Sequence, residues 1–261
     1  NLPSASTLGI IRQENNQRQR AAKTLIAFAD PVFSRDDQRL RGKITDTHPP
    51  QKDSYLDALT RAAGDGDISF VRLRSTRQEA ESILSLVPVN QQQQAFDFDA
   101  SRAKVFQTDL SQYQIVHFAT HGILDSEHPE LSGVVLSLFD DKGTPENGFL
   151  RLNDIFNLHL SANLVVLSAC ETGLGKDVKG EGLVGLTRGF MYAGTPRVVV
   201  SLWDVDDQAT SELMKDFYQK MLQSGMKPGA ALRAAQLEIF QHNQQYTSPY
   251  YWAPFTLQGE W

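Results

Sequence analysis

Apolar residues in this chain gather into short runs that stop at turn residues, and the segments between those runs change period. Residues 24–31 (TLIAFADP), 67–74 (DISFVRLR), 114–119 (QIVHFA), 163–169 (NLVVLSA) and 197–203 (RVVVSLW) are rich in β-branched and aromatic side chains and predict strands. The runs NLVVL and RVVV do not alternate with polar residues, which is the pattern of central strands covered on both faces. Between them the apolar spacing becomes helical. Residues 75–87 predict a helix with Ser75 and Glu79 near its start, and residues 181–194 one that is apolar at Leu183, Leu186 and Phe190 and closed by Gly194. Residues 206–225, closed by Gly225, and 228–243 predict two more. Strands alternating with helices imply an α/β fold with a mostly parallel central sheet flanked by helices on both faces. Residues 133–150, with Asp-Asp-Lys-Gly and Pro-Glu-Asn-Gly turns, predict a side hairpin or edge strand, and the glutamine tract at 90–96 a loop or helix end.

Composition narrows the function classes. A hydrophobic fraction of 41% with 21% charged residues fits a globular chain with ample core, and the net charge of −6 gives no reason to expect nucleic acid or an anionic membrane as partner. The basic residues near the N-terminus are interspersed with acids and amides and read as solvated faces. No apolar run reaches the roughly 18 residues of a membrane span, and no secretory signal opens the chain. The single cysteine excludes an internal disulfide and a cysteine-cluster zinc site, and favours a cytoplasmic setting. The chain starts at Asn1 without a methionine, so it is expected to be part of a longer protein.

Candidate chemistry sits at two strand ends. In open α/β sheets ligands collect beyond the carboxyl ends of the strands. His121 stands two residues past VHFA and Cys170 directly past LVVLSA, so adjacent parallel strands would bring them together. A thiol attacks a carbonyl only as thiolate, and a neighbouring imidazole can take its proton. Gly122 beside the histidine, and Gly173 and Gly175 beyond the cysteine, allow close backbone approach to a substrate oxygen. Taken alone, Cys170 reads as a small packed hydrophobe and His121 as structural. Their joint placement favours a nucleophile and its base.

The blocks VHFATHG, LVVLSACETGLG, GEGLVGLTRGFMYAGTPRVVVSLWDVDD and YWAPFTLQGEW, in this order, resemble the successive signatures of CHAT domains, caspase-like peptidases commonly attached to tetratricopeptide repeats. Weaker echoes at LPSASTL, LIAFADPVF and STRQEAESI extend the resemblance over 1–261, read as one peptidase domain. Caspases carry their histidine about 50 residues ahead of the cysteine, and here 49 separate positions 121 and 170. The resemblance implies a caspase-hemoglobinase fold, a His121–Cys170 dyad, and an oxyanion site from the backbone amides of Gly122 and Cys170. It also implies a protein substrate, an N-terminal tetratricopeptide-repeat sensor region, and no metal or organic cofactor. The caspase signature Q-A-C-[RQG]-G is not met, since Ser168-Ala169-Cys170-Glu171-Thr172 stands there; CHAT and separase-like relatives fit better.

Other constellations carry less. CETGLGKD lacks the first glycine of a phosphate loop, and Asp177 replaces its Ser/Thr. His117 and His121 have H-x-x-x-H spacing but no intervening glutamate, and on a strand that spacing does not serve a shared metal; His117 is expected to pack in the sheet. His128 reads as a solvated loop residue and Glu181 as a first-turn acid. In SLWDVDD, Trp203, Asp204, Asp206 and Asp207 leave a strand end; they read either as a substrate pocket favouring a basic residue or, for Asp206 and Asp207, as helix caps. Separases show a W-D-V-T-D-x-D-I-D pattern here, whose last acids fall on Ala209 and Ser211 in this chain. The expected function is a cysteine endopeptidase in a regulated signalling or defence pathway. The rivals are a catalytically silent caspase-like scaffold and a small-molecule acyl or amide hydrolase.

Overall fold

A computed structural model describes residues 19–41, 70–125, 129–168, 170–171, 181–203 and 205–260, with the isolated positions 9 and 13; 129, 170–171 and 181–182 are described by their backbone alone. The chain runs β1 (Lys23–Pro31), α1 (Arg74–Leu84), β2 (Gln92–Asp97), α2 (Arg102–Gln107), β3 (Tyr113–Ala119), β4 (His121–Ile123), β5 (Gly133–Val135), β6 (Phe149–Arg151), α3 (Leu152–Phe156), β7 (Leu164–Leu167), β8 (Cys170–Glu171), α4 (Glu181–Tyr192), β9 (Arg197–Ser201), α5 (Asp207–Leu222), α6 (Pro228–His242), α7 (Pro249–Trp252) and β10 (Phe255–Gly259).

The main sheet has the order β10-β9-β7-β3-β1-β2, with β10 antiparallel to β9 and all other neighbours parallel. Its two faces follow from strand alternation. Leu25, Ala27, Ile115, Val166 and Val199 pack with α1, α5 and α6, while Ile26, Phe28, Phe118, Val165 and Val200 pack with α2, α3 and α4. The second face centres on Phe28 stacked on Phe118 at 5.1 Å, with Phe190 of α4 at 5.9 Å from Phe118. Apolar residues on both faces explain why β1, β3, β7 and β9 read as continuous hydrophobic runs. The expected mostly parallel sheet with helices on either side is observed.

A second sheet, β6-β5-β4-β8, stands on the carboxyl edge of the first. It is built from continuations: β3 passes through buried Thr120 into β4, and β8 follows β7. The β5–β6 hairpin, expected from the turns in 133–150, pairs antiparallel with β4. Gly133 and Gly148 are required there, because a Cβ would lie 2.3 Å from a backbone carbonyl oxygen at either position.

Three expectations are corrected. Residues 67–74 do not form a strand over their described part: 70–73 pair with no strand among the described residues, and α1 begins at Arg74. Glu79 is not a starting residue of α1 but a buried mid-helix one. The glutamine tract is largely β2, the edge strand beside β1, where the amide side chains stay partly solvated and only Ala95 and Phe96 are buried.

Candidate active site

The parallel register between β3 and β7 pairs Phe118 with Leu167, and the Ser168 amide donates to the Phe118 carbonyl at 2.8 Å. Past this point the two strands bend into the second sheet without losing step: His121 pairs with Cys170 and Gly122 with Glu171. The two residues singled out by sequence therefore occupy directly opposed backbone positions at the carboxyl edge, about 4.8 Å being the usual separation of neighbouring strands. Gly122 lies buried between β8 and β5, opposite Val134 on its other side.

The His121 ring is 4% exposed and held by three groups that sequence reading did not single out. Phe33 lies 4.9 Å away and Phe70 5.4 Å away, ring centre to ring centre, both tilted against the imidazole. Nε2 is 2.7 Å from the carbonyl oxygen of Val71. A carbonyl can only accept, so Nε2 carries a proton and the neutral ring presents the lone pair at Nδ1. Phe33 just past β1 could have been found as another strand-end residue. A backbone carbonyl leaves no trace in a sequence.

The elements behind these groups are tied by a charge network at the ends of β1 and β2. Asp30, fully buried, takes a two-point contact from Arg72, Nε to Oδ1 at 2.8 Å and Nη2 to Oδ2 at 2.6 Å. Arg39 bridges Asp37 and Asp97 and donates to the carbonyls of Asp30 and Pro31. Arg77 pairs with Asp97 as well. Asp30 and Asp97 both have left-handed backbone, at φ 52° and 55°, a conformation aspartate tolerates better than most residues. Burial pushes the Asp37 and Asp97 carboxyls up, but hydrogen bonds from Arg39, joined at Asp97 by Arg77, outweigh it and hold both below the ordinary carboxylate range. The Asp30 carboxylate raises Arg72 in turn.

His117 faces away from this edge, into the layer under α1 and α5. Its Nε2 lies 3.0 Å from Glu79 Oε1, poorly aligned for a hydrogen bond, and its Nδ1 lies 3.0 Å from the Tyr218 hydroxyl. This is the packed role expected for His117. Burial, with the Glu79 charge added, raises the Tyr218 phenol well above its usual value.

At the third strand end, Trp203 is half-buried and its indole Nε1 donates to the Tyr250 carbonyl at 3.2 Å. Asp206 caps α5, accepting from the Ala209 amide at 2.9 Å, and Asp207 accepts from the Ser75 amide at the start of α1 at 3.4 Å. Asp204, His128, Gly173, Gly175 and Asp177 lie outside the described residues, as does the side chain of Glu181. Among the described residues no group of three or more His, Cys, Asp or Glu side chains could hold a metal ion, and no helix is long and apolar enough to cross a membrane.

The family model for the CHAT domain matches residues 1–260. Tetratricopeptide repeat protein 28 of Mus musculus is 33% identical over 179 residues, covering 58% of this chain and 7% of that protein. Its Homo sapiens counterpart is 31% identical over 179 residues with the same shares, so the chain spans a small fraction of the length of these relatives. Among solved structures, the Arg specific cysteine proteinase gingipain R superposes with a TM-score of 0.46 at 10% identity, covering 98% of this chain and 52% of that one.

Proposed function

The chain belongs to the CHAT domain family, and from that premise we propose that it is a cysteine endopeptidase in which Cys170 is the nucleophile and His121 its base. One observation carries the reading: the parallel register sets His121 opposite Cys170 at the carboxyl edge of the sheet. In this mechanism Nδ1 of His121 takes the thiol proton, the thiolate attacks the scissile carbonyl, and the imidazolium returns the proton to the leaving amine. The Val71 carbonyl, facing Nε2–H, stabilises the imidazolium that forms. Water then cleaves the thioester, with His121 as base again. The amides of Gly122 and Cys170 are the proposed donors to the oxyanion.

Trp203, at the end of the strand next to β7, is proposed to wall the substrate groove. Asp206 and Asp207 have partners within the fold, which leaves Asp204 to carry the preference for a basic residue. The protein substrate and an adjoining tetratricopeptide-repeat region that gates it belong to the same proposal; the names of the mammalian relatives support the association with such repeats. The test is cleavage of a proteome-derived peptide mixture read by mass spectrometry. New termini that appear with the protein and vanish with Cys170→Ala support the reading. Hydrolysis of small esters only, or no Cys170-dependent product even with the full-length triggered protein, replaces it with the hydrolase or scaffold alternative.

A further inference from the structure

The segment 70–73 carries two of the groups against His121, yet it pairs with no strand among the described residues. Its side chains alternate. Phe70 is buried against Phe33 and His121, Val71 is 68% exposed, and Arg72 turns back to the buried Asp30 carboxylate. Downstream, the Leu73 carbonyl accepts from Thr76 Oγ1 at 2.7 Å, and the same hydroxyl oxygen accepts from the Asp30 amide at 3.2 Å. The Val71 carbonyl thus sits between an aromatic contact and a two-point ion pair, both made to the end of β1 or the residues just beyond it.

We infer that Arg72, gripped by Asp30, is a positioning residue: it fixes the Val71 carbonyl and through it the Nε2–H tautomer and ring orientation of His121. The consequence for chemistry rests on the proposed role of His121 as base; the tautomer does not. Bidentate arginine–carboxylate pairs fix direction as well as distance, and Asp30 is a rigid anchor because it is also bound by Arg39. Arg77 supplies the comparison. It joins the same network, 3.5 Å from Asp30 and paired with Asp97, but projects from α1 and is no part of segment 70–73.

The experiment is nitrogen-15 NMR of histidine-labelled protein, with the His121 signals assigned by their loss in His121→Gln. In the parent protein His121 shows a protonated Nε2 that exchanges slowly with water. In Arg72→Met the tautomers mix and the Nε2 proton exchanges about tenfold faster or more, whereas Arg77→Gln keeps the parent signals. Should Arg72→Met not fold, Arg72→Lys keeps a cation against Asp30 without the two-point grip and gives the same loosened ring. Unchanged His121 signals in a folded Arg72 variant, or an equal change in Arg77→Gln, overturn the inference. Alkylation of Cys170, the sole thiol, read against pH in the parent and in His121→Gln, tests the catalytic reading apart from it. Equal, ordinary thiol reactivity in both removes the base role while leaving the tautomer result to stand or fall by itself.

Discussion

His121 and Cys170 face each other across a parallel ladder at an offset of 49 residues, the same offset that pairs Phe118 with Leu167 three residues earlier. The spacing between the two residues in sequence is therefore a strand offset shared by the main sheet and the second. Because the β5–β6 hairpin holds the other side of β4, the histidine strand is fixed from both flanks.

Residues acting as one unit give non-additive losses. Cys170→Ala and His121→Ala are each expected to abolish cleavage, with the double variant no worse than the more damaged single one. Circular dichroism should show all three folded. Residual proteolysis in Cys170→Ala at the parent rate would remove the cysteine from the mechanism.

Phe33 and Phe139 belong to one buried cluster, but only Phe33 touches the imidazole. Truncating either to alanine leaves a cavity and is expected to cost about 3–5 kcal/mol in urea unfolding. At temperatures where both remain folded, Phe33→Ala should lower kcat through a misplaced ring, and Phe139→Ala should not. Equal kcat values would show that the aromatic wall only packs.

Acid should weaken the network at the ends of β1 and β2. Asp37 and Asp97 are held below their unfolded values, so the unfolded chain binds protons first as pH falls. Their stabilisation is complete above the unfolded carboxylate pKa of about 3.9 and is lost as pH drops through the lower folded values. Arg39→Gln is expected to lower the urea midpoint at neutral pH, and the gap from the parent should shrink at about pH 3. A gap that widens on acidification would contradict the assignment.

The central strands were legible because burial on both faces writes unbroken apolar runs, and the opposed placement of His121 and Cys170 because each follows such a run. The same reasoning failed at 70–73, where Phe70 and Leu73 look like strand residues but Val71 points to solvent and its carbonyl serves His121. It failed at β2 because an edge strand can keep glutamines wet while pairing through its backbone. Buried polar contacts were invisible for another reason: Glu79 meets His117, and Asp30 meets Arg72, only after the sheet is assembled. Along the chain, a glutamate on an amphipathic helix reads as part of its solvated face.

Asp206 separates capping from substrate reading. Its carboxylate accepts the Ala209 amide at the positive end of α5. Asp206→Ala should therefore cost about 1 kcal/mol of stability, and Asp206→Asn much less. Mapped cut sites should keep their preference in both variants. A changed preference at the residue before the cut, with stability unaltered, would return Asp206 to the pocket.

Tyr218 provides the alkaline counterpart. The phenol is buried beneath the sheet, its hydroxyl 3.0 Å from His117 Nδ1. Ionising this phenol would bury an anion and add a charge near Glu79, which is why its pKa is raised well above the ordinary phenol value. The unfolded chain then releases the proton first as pH rises, so the native state holds more protons and loses stability above the unfolded phenol value. Tyr218→Phe removes the titration together with the hydrogen bond. Near pH 8 the variant should be less stable by about 1–3 kcal/mol, the cost of leaving a buried imidazole nitrogen unpaired. Toward pH 10.5 or so the parent should fall faster than the variant, because only the parent carries the raised phenol. The difference between the two unfolding curves cancels the other tyrosines, which titrate in both. A stability gap that stays constant from the lower to the higher pH would mean that the Tyr218 hydroxyl does not titrate against the fold and acts through packing alone.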